Sequence, residues 1–516
     1  MKKQHQWILT LIFSLLAGLA MGTPADNRPN ILWITIEDWC PDLSCYGTKG
    51  IQTPHVDQLA AEGIRYEYAF TTAPVCSASR SAMMTGFHQN YIGASQHRTP
   101  GNDKKPLPYG IKPISNLLAE AGYFTCLMSK KIDCNFVPSG HDDLFMGHDW
   151  KERQPGQPFF ARITLSGTHR SWKRDPVRPI AIKDIELPPY YPDTPFVRRD
   201  WANGLEQMQL VDRETGDLLQ RLEDEGLAGN TIVIFIADHG RCHIRGKQFL
   251  YDGGIRIPMI VRWPGHIKPG QVNQSLVSSL DLCATSLEVA GVTPPVPLHG
   301  ASLFSQEVKT RKYVFAARDK MDETHDSMRA IRSHDFKLIQ NLMPERPYLQ
   351  YNFYKEGHYP MLAEMAVMYA KGTLTPAQAA FFAPTKPEVE LYDLRTDPHE
   401  TKNLAGNSKY ASIKKELLTE LNKWRKSIND HGVSADFRAD GIFPKTCTTK
   451  TVQEWVESNG KKYDFKTNGW PAWYPTRDLA DWQRIRDQWE PYVFRTPAAK
   501  AKKPAGFTKS WKKKKK

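Results

Sequence analysis

The 516-residue chain is 40% hydrophobic, 24% charged and 11% aromatic, which excludes a disordered or fibrous protein and leaves room for two or three domains. Its net charge of +13 invites a reading as a polyanion binder, but Lys2 and Lys3 lie in the first 22 residues and nine lysines, from Lys500 to Lys516, in the last twenty. The body between them is close to neutral, so no nucleic-acid partner is expected.

Residues 1–22 read as a secretory signal peptide: a basic start, an apolar run from Trp7 to Ala20, then small residues at Ala20 and Gly22. The run is shorter than the ~20 residues that span a bilayer. Cleavage is expected near Ala20 or Gly22, with an uncleaved anchor as the alternative. No cysteine closely follows the run and no twin arginine marks the other export route. The mature protein is therefore expected to be periplasmic or secreted, with no integral membrane segment. The eight cysteines (40, 45, 76, 126, 134, 242, 283 and 447) are too scattered for a disulfide framework. Cys40 and Cys45 are a candidate pair, and most of the others read as small buried hydrophobes.

From Asn30 onward, short apolar β-branched runs alternate with amphipathic stretches, the pattern of an α/β protein. Residues 31–36 are continuously apolar, as a strand covered on both faces of a mainly parallel sheet must be. Thr53 as N-cap, Pro54 at the first position, Val56, Leu59 and Ala60 on one face and Gly63 as a stop predict a helix. Then come a helix at 114–120, strands at 123–128 and 159–165, a long helix over 203–225, strands at 231–237 and 257–262, and a helix at 280–290. Residues 23–300 thus read as one large α/β domain. Past the proline-rich stretch 293–297, strand-like runs at 313–316, 328–331, 336–339 and 390–394, with a helix at 409–429, predict a smaller α+β domain over 301–430. Residues 431–495, rich in Trp and Tyr, are expected to wrap back over the body, and the Lys-rich tail 496–516 to be disordered.

In a parallel sheet, ligands gather beyond the carboxyl ends of the strands. The first strand ends in Glu37-Asp38, and the strand at 231–237 ends in Asp238-His239-Gly240. Either pair alone also fits a loop- or helix-capping role. Converging, the four side chains would bind a hard divalent cation. Residues 74–86 read P-V-C-S-A-S-R-S-A-M-M-T-G, a loop entering a helix that Gly86 can close. Cys76 then meets backbone N–H groups and the positive end of the helix, and Arg80, one turn on, can aim its charge at the same spot. The string describes a nucleophile beside an oxyanion, sulfate or phosphate pocket, or else a buried cysteine at an ordinary helix start.

Taken in order, the motifs resemble the type I sulfatases, a branch of the alkaline-phosphatase-like superfamily. The resemblance covers residues 28–404. It begins with R-P-N-I-L-W-I-T-I-E-D, followed by C-S-A-S-R and then Thr85-Gly86. T-I-V-I-F-I-A-D-H-G and Gly246-Lys247 with Y-D-G-G-I-R-I-P come next, and E-L-Y-D-L-R-T-D-P-H-E-T-K-N-L closes it. It implies an α/β fold with a large mixed, mainly parallel sheet sandwiched by helices and a smaller C-terminal α+β domain. It also implies oxidation of Cys76 to formylglycine by a formylglycine-generating or anaerobic sulfatase-maturating enzyme. In that scheme one hydroxyl of the hydrated aldehyde, activated by the metal, attacks sulfur in line, and the second later expels sulfate from the enzyme.

Matching positions make Glu37, Asp38, Cys76, Asp238 and His239 the holders of one divalent metal. Arg80, Lys130, His169 and Lys247 become the groups around the sulfate, with His169 able to protonate the leaving oxygen. The departures are specific. Glu37 stands where many members have Asp, Ala78 replaces the commoner Pro, and Ser129 replaces Gly. Ile132 falls where a second His often stands, so that contact is absent or supplied by Lys131 or Asp133. His239 replaces the usual Asn, which leaves room for Mn2+ or Zn2+ beside the first choice, Ca2+. Candidate substrate contacts are His97, Arg98, Arg241, His243, Arg318 and Glu323 (with Asp322), which flank the motifs or lie in the second domain. The expected activity is hydrolysis of sulfate esters, or N-sulfate, of a carbohydrate, similar to bacterial carbohydrate sulfatases and heparan N-sulfatase. The alternatives are a phosphonate or phosphate ester hydrolase of the same superfamily and a catalytically inactive sulfated-glycan-binding protein.

Overall fold

The computed structural model describes residues 28–99, 103–129, 132–137, 144–322, 324–350, 352–433 and 479–497. The signal peptide, Lys130, Lys131, Glu323, Cys447, most of the 431–495 extension and nearly all of the lysine-rich tail lie outside the described residues.

The main sheet has seven strands: β1 (Asn30–Ile36), β2 (Ile64–Phe70), β3 (Phe124–Leu127), β4 (Phe159–Leu165), β5 (Thr231–Ala237), β6 (Arg256–Arg262) and β7 (Gln271–Ser278). Their order is β3-β4-β1-β5-β6-β2-β7, and within this sheet β6 alone runs against the rest. β1 and β5 are buried along their whole length, as their unbroken apolar sequence requires. The register then decides where the site is. Ile36 pairs with Leu165 on one side and Ala237 on the other. The segments that follow, Glu37-Asp38, Ser166 to His169 and Asp238-His239, therefore leave the sheet side by side, one strand spacing of ~4.8 Å apart.

Helix α1 (Pro54–Ala61) has Thr53 at its N-cap and Pro54 at its first position. The expected cap bond does not form: the Thr53 hydroxyl bonds the side chains of Ser44 and Asp57 instead. The orphan Val56 N–H donates to Asp212, on a helix far away in sequence, at 2.9 Å. Gly63 is also corrected in role, since a Cβ there would meet the Val261 carbonyl oxygen at 2.2 Å. The glycine is required by the close approach of β6 and not by a left-handed stop. Helix α2 (Cys76–Thr85) begins on the cysteine and closes on Gly86 at φ 74°. Beyond α3 (Ile114–Glu120), the long helix α4 (Pro195–Asp224) starts earlier than residue 203, because Thr194 accepts from Val197 N–H at 3.2 Å and Pro195 suits the first turn. Helix α5 (Asp281–Val289) follows β7.

A second, antiparallel sheet is formed by β8 (Val314–Arg318), β9 (Met328–Arg332), β10 (Phe336–Asn341) and β11 (Val389–Asp393), in that order. Between β10 and β11 lie α6 (Phe353–His358) and α7 (Pro360–Ala370), helices the sequence reading did not anticipate. Helix α8 (Ala411–Ser427) packs Leu417, Leu421 and Trp424 against Ile331, Leu338 and Leu391. Helix α9 (Leu479–Val493) lies against α7 and α4 with Trp482, Ile485 and Trp489 buried. Lys337 ties the second sheet to the first, reaching both Asp252 and Glu400 at 2.7 Å. Cys40 and Cys45 are free thiols, so the pair raised by their spacing does not form, and Cys126, Cys134, Cys242 and Cys283 are buried.

Candidate active site

Three adjacent strand ends and one helix start build the site. Asp38 leaves β1 in a left-handed turn at φ 52°, and its N–H donates to Asp238 Oδ1 at 3.0 Å. His239 N–H donates to the same oxygen at 2.9 Å. These bonds lock the acids of β1 and β5 to each other. Cys76, at the first position of α2, turns its sulfur toward them, 3.2 Å from His239 Nε2 and 3.8 Å from Asp38 Oδ1. The ligand atoms of Asp38, Cys76, Asp238 and His239 lie within 4.8 Å of one another, and all four residues are buried.

Cations surround this cluster. Lys247 Nζ donates to both Asp38 oxygens at 3.0 Å and lies 3.4 Å from Cys76 Sγ. Arg80, 2% exposed, donates to Asp238 Oδ2 at 2.8 Å and Asp133 Oδ2 at 3.3 Å, and pairs with Glu37. Glu37 is thus engaged by Arg80 and stands outside the group of four. Burial alone would raise Asp38, but Lys247, His239 and His169 hold its carboxyl well below the usual range. Burial likewise opposes a thiolate at Cys76, yet Lys247 and His239 bring the thiol below its ordinary value. Burial would also strip Lys247 of its proton, but Asp38 and Cys76 keep it charged, well above the usual lysine range.

The histidines are oriented by carbonyls. His239 Nδ1 donates to the Gly240 carbonyl at 2.9 Å; burial opposes its charge, but Asp238, Cys76 and Asp38 raise the imidazole well above its ordinary value, so Nε2 is also protonated and donates to Asp38 Oδ1 at 2.9 Å. The positive species between these two atoms is here a proton, and a cation can take its place. Two carboxylates, an imidazole nitrogen and the residue-76 side chain, all dry, are therefore a donor set that fits a divalent ion. His169 Nδ1 donates to the Arg170 carbonyl at 2.8 Å, and its Nε2 faces the Tyr354 hydroxyl at 3.3 Å and Asp38 Oδ2 at 3.9 Å.

Of the other sequence candidates, His97 and Arg98 reach this neighbourhood. His97 Nδ1 is 2.9 Å from Asp322 Oδ1, and Asp322 and Cys76 outweigh burial to raise the imidazole above its ordinary value. Arg98 anchors its N–H on Ser77 Oγ at 3.1 Å. Three candidates are elsewhere. Arg241 pairs with Asp42 at 2.9 Å and lies over the Trp201 ring. His243 is walled in by Trp172, Tyr191 and Trp201, and burial pushes its pKa well below the usual value. Arg318 is fully buried, within 3.5 Å of Asp326 and over Phe249. His243 and Arg318 are buried in the core. Lys130 and Glu323 lie outside the described residues. Ile132 packs on the apolar core, so position 132 offers no polar group to the site.

Tyr354 was missed by sequence reasoning. It caps His169, and the Lys247 ammonium lies 5.1 Å from its ring centre. It sits in an aromatic-rich stretch without a motif, and no signal in the chain marks it.

The chain matches the Sulfatase family over residues 29–136 and 138–292, and the family described as N-sulphoglucosamine sulphohydrolase, C-terminal, over residues 240–379. An ulvan-active sulfatase of Formosa agariphila is 32% identical over 457 residues, covering 78% of this chain and 76% of that protein. The human N-sulphoglucosamine sulphohydrolase is 27% identical, covering 83% and 94%. Among solved structures, a protein in complex with its substrate D-glucosamine-2-N,6-O-disulfate superposes with TM-score 0.57 at 20% identity, covering 78% of this chain and 99% of that one. A phosphonate monoester hydrolase of Agrobacterium radiobacter gives 0.58 at 16% identity, covering 78% and 96%. At those identities the two structures bear on the fold.

Proposed function

The chain belongs to the sulfatase family and is a sulfuric ester hydrolase, and we propose that the sulfate it removes sits on a sugar and is attacked by the side chain of residue 76. The observation that carries this reading is the dry convergence of Asp38, Cys76, Asp238 and His239 with Lys247 and Arg80 beside them. The relatives named for ulvan and for N-sulphoglucosamine support a carbohydrate as the bearer of the sulfate, as an ester or an N-sulfate.

In this reading Asp38, Asp238, His239 and residue 76, together with Glu37, would hold one divalent cation, calcium by first choice, and the ion would supply Lewis acidity there. Maturation of Cys76 to formylglycine gives the position two hydroxyls on hydration where the thiol offers one sulfur. The chain's own residues do the rest. The start of α2 presents backbone N–H groups to an anion. Lys247 bridges Asp38 and residue 76 and carries a fixed positive charge to the sulfate. Arg80 spends its guanidinium on Glu37, Asp133 and Asp238, holding the acids in place. His169, steadied by the Arg170 carbonyl and the Tyr354 hydroxyl, exchanges a proton with the leaving atom at Nε2. Lys130, outside the described residues, is assigned to the sulfate-binding cations by the resemblance of its sequence position. His97 and Arg98 contact the sugar.

Among the described residues no helix is long and apolar enough to cross a membrane. A periplasmic or secreted location, reached through the 1–22 signal, and maturation by a formylglycine-generating or anaerobic enzyme complete the proposal. The test couples peptide mass spectrometry across residue 76 with turnover of an aryl sulfate, an aryl phosphonate and a panel of sulfated mono- and disaccharides. An aldehyde at residue 76 and preference for sulfate are expected. An unmodified thiol in protein made with a maturation system, or preference for the phosphonate, would sink the reading. Dialysis against a chelator followed by Ca2+, Mn2+ or Zn2+ identifies the ion.

A further inference from the structure

The direction of the His169 ring is set in part by one backbone atom, the Arg170 carbonyl that accepts from its Nδ1 at 2.8 Å. That carbonyl is as steady as the residue that carries it. The Arg170 guanidinium makes a two-pronged pair with Asp200 of α4, Nη1 to Oδ1 at 2.9 Å and Nη2 to Oδ2 at 2.8 Å. Its Nε donates to the Cys242 carbonyl at 3.0 Å, so the loop after β4 is tied to the loop after β5. The same group lies 3.8 Å from the Trp172 ring centre and 5.1 Å from that of Tyr359. Arg170 is 5% exposed and Asp200 fully buried, so water does not compete for these contacts. A buried ion pair is seldom a net gain in stability over apolar packing, and the orientation it imposes is then its main effect.

The loop is clamped on both sides. Trp172 Nε1 donates to the Thr168 carbonyl at 2.7 Å, closing residues 168–172 on themselves, and Lys173 N–H donates to Gln207 Oε1 of α4 at 2.7 Å. The C-terminal helix supplies the other jaw. Arg495, just past α9, donates from Nη2 to the Trp172 carbonyl at 2.6 Å, and the Tyr492 hydroxyl donates to the same oxygen at 3.3 Å. In return the Arg495 carbonyl accepts from Arg174 Nη1 at 2.6 Å, and the Val493 carbonyl from Asn203 Nδ2 of α4 at 3.0 Å. α4, the His169 loop and the end of α9 thus form one bonded unit.

We propose that Arg170 is a positioning residue for His169, and that the end of α9 shares the task by fixing the same loop from outside. Arg170 acts through the imidazole and not on the substrate: it holds still the carbonyl that aims Nε2 at the leaving atom. The inference rests on the proton role given to His169 above. It gives a helix more than 300 residues further along the chain a part in catalysis.

The test uses the full-length active protein, with kcat/KM measured over aryl sulfates of rising phenol pKa and a sulfated sugar. A general acid matters most where the leaving group is poorest. His169→Ala is therefore expected to steepen the fall of kcat/KM with leaving-group pKa. Arg170→Lys keeps a charge opposite Asp200 but loses the fork, whereas Arg170→Met would leave Asp200 buried and unpaired. Arg495→Met combined with Tyr492→Phe tests the same claim without touching the ion pair. On the sugar sulfate, Arg170→Lys should cost ~10²-fold and the α9 pair about tenfold, with losses of no more than about twofold on the most acidic phenol. In the His169→Ala background neither should steepen the dependence further. Equal losses across the series, an unchanged slope, or a full further loss in that background would overturn the inference. If His169→Ala itself leaves the slope unchanged, the proton role of His169 fails and this inference with it; an unchanged slope in the other variants alone defeats only the inference.

Discussion

The two banks of the active site are built to different standards. On the main-sheet bank, Asp38, Cys76, Asp238 and His239 sit at the ends of buried strands or at a helix start, and each charge is bonded to another charge of the same bank. The second-sheet bank reaches across with single polar contacts from loops and a short helix: Asp322 to His97 and to Gln248 Nε2 at 3.0 Å, and Tyr354 to His169. Groups held by regular elements keep the sub-ångström placement that chemistry needs, whereas loop-borne groups are free to vary with the substrate. The first bank should therefore decide whether sulfate is cleaved, and the second which sugar is brought to it.

The sharpest way to break this division is Cys76→Ala. Turnover of every sulfate substrate should fall to background while the far-UV circular dichroism stays that of the parent; retained turnover on any one substrate would end the assignment of residue 76. Next is Lys247→Met, which removes the main cationic partner of a fully buried Asp38. Stripping one member of a buried ion pair costs ~3–5 kcal/mol, and loss of a preorganised charge at the reacting group costs ~10²–10³ in kcat. Urea unfolding and steady-state kinetics read the two separately, and an effect on KM alone would contradict the proposed role.

On the opposite bank the effects should be smaller and substrate-dependent. Asp322→Asn is expected to change kcat/KM on sulfated sugars by roughly tenfold, about 1.4 kcal/mol, with an aryl sulfate hardly affected. Tyr354→Phe, which deletes one hydroxyl–imidazole contact of about 1 kcal/mol, should cost a few-fold. Equal losses on aryl and sugar substrates would erase the distinction between the banks. The mildest effect is on stability, far from the chemistry. Asp430, bonded to Arg329 at 2.6 and 2.8 Å, fixes the end of α8 to the second sheet. Burial opposes its charge, but Arg329 lowers its pKa to about 2, below the ~3.9 of an unfolded aspartate. Its contribution is thus present above pH ~4 and is lost as the pH falls toward 2. Asp430→Asn should flatten the acid limb of the stability profile over that window, as followed by thermal melts.

The amino-acid sequence by itself determined five of the seven strands of the main sheet, the helix start at Cys76 and the acids at both strand ends; β2 and β7, which carry polar residues among their apolar ones, were not anticipated. These are local facts: an unbroken apolar run has to be buried on both faces, and a polar pair that ends such a run has to emerge where the sheet stops. It could not tell that Thr53 bonds side chains while Asp212 serves the helix start, or that Gly63 answers to Val261. Nor could it tell that Arg241 pairs with Asp42 while His243 and Arg318 are core. In each case the deciding partner lies far away along the chain, and the direction of a side chain is set by what packs against it. The tertiary structure alone brought Tyr354 to the site and committed Glu37 to Arg80. Spacing along a chain fixes which residues share a strand end; the pairing of buried charges, which must be matched wherever they meet, is decided only when the strands, helices and loops are assembled.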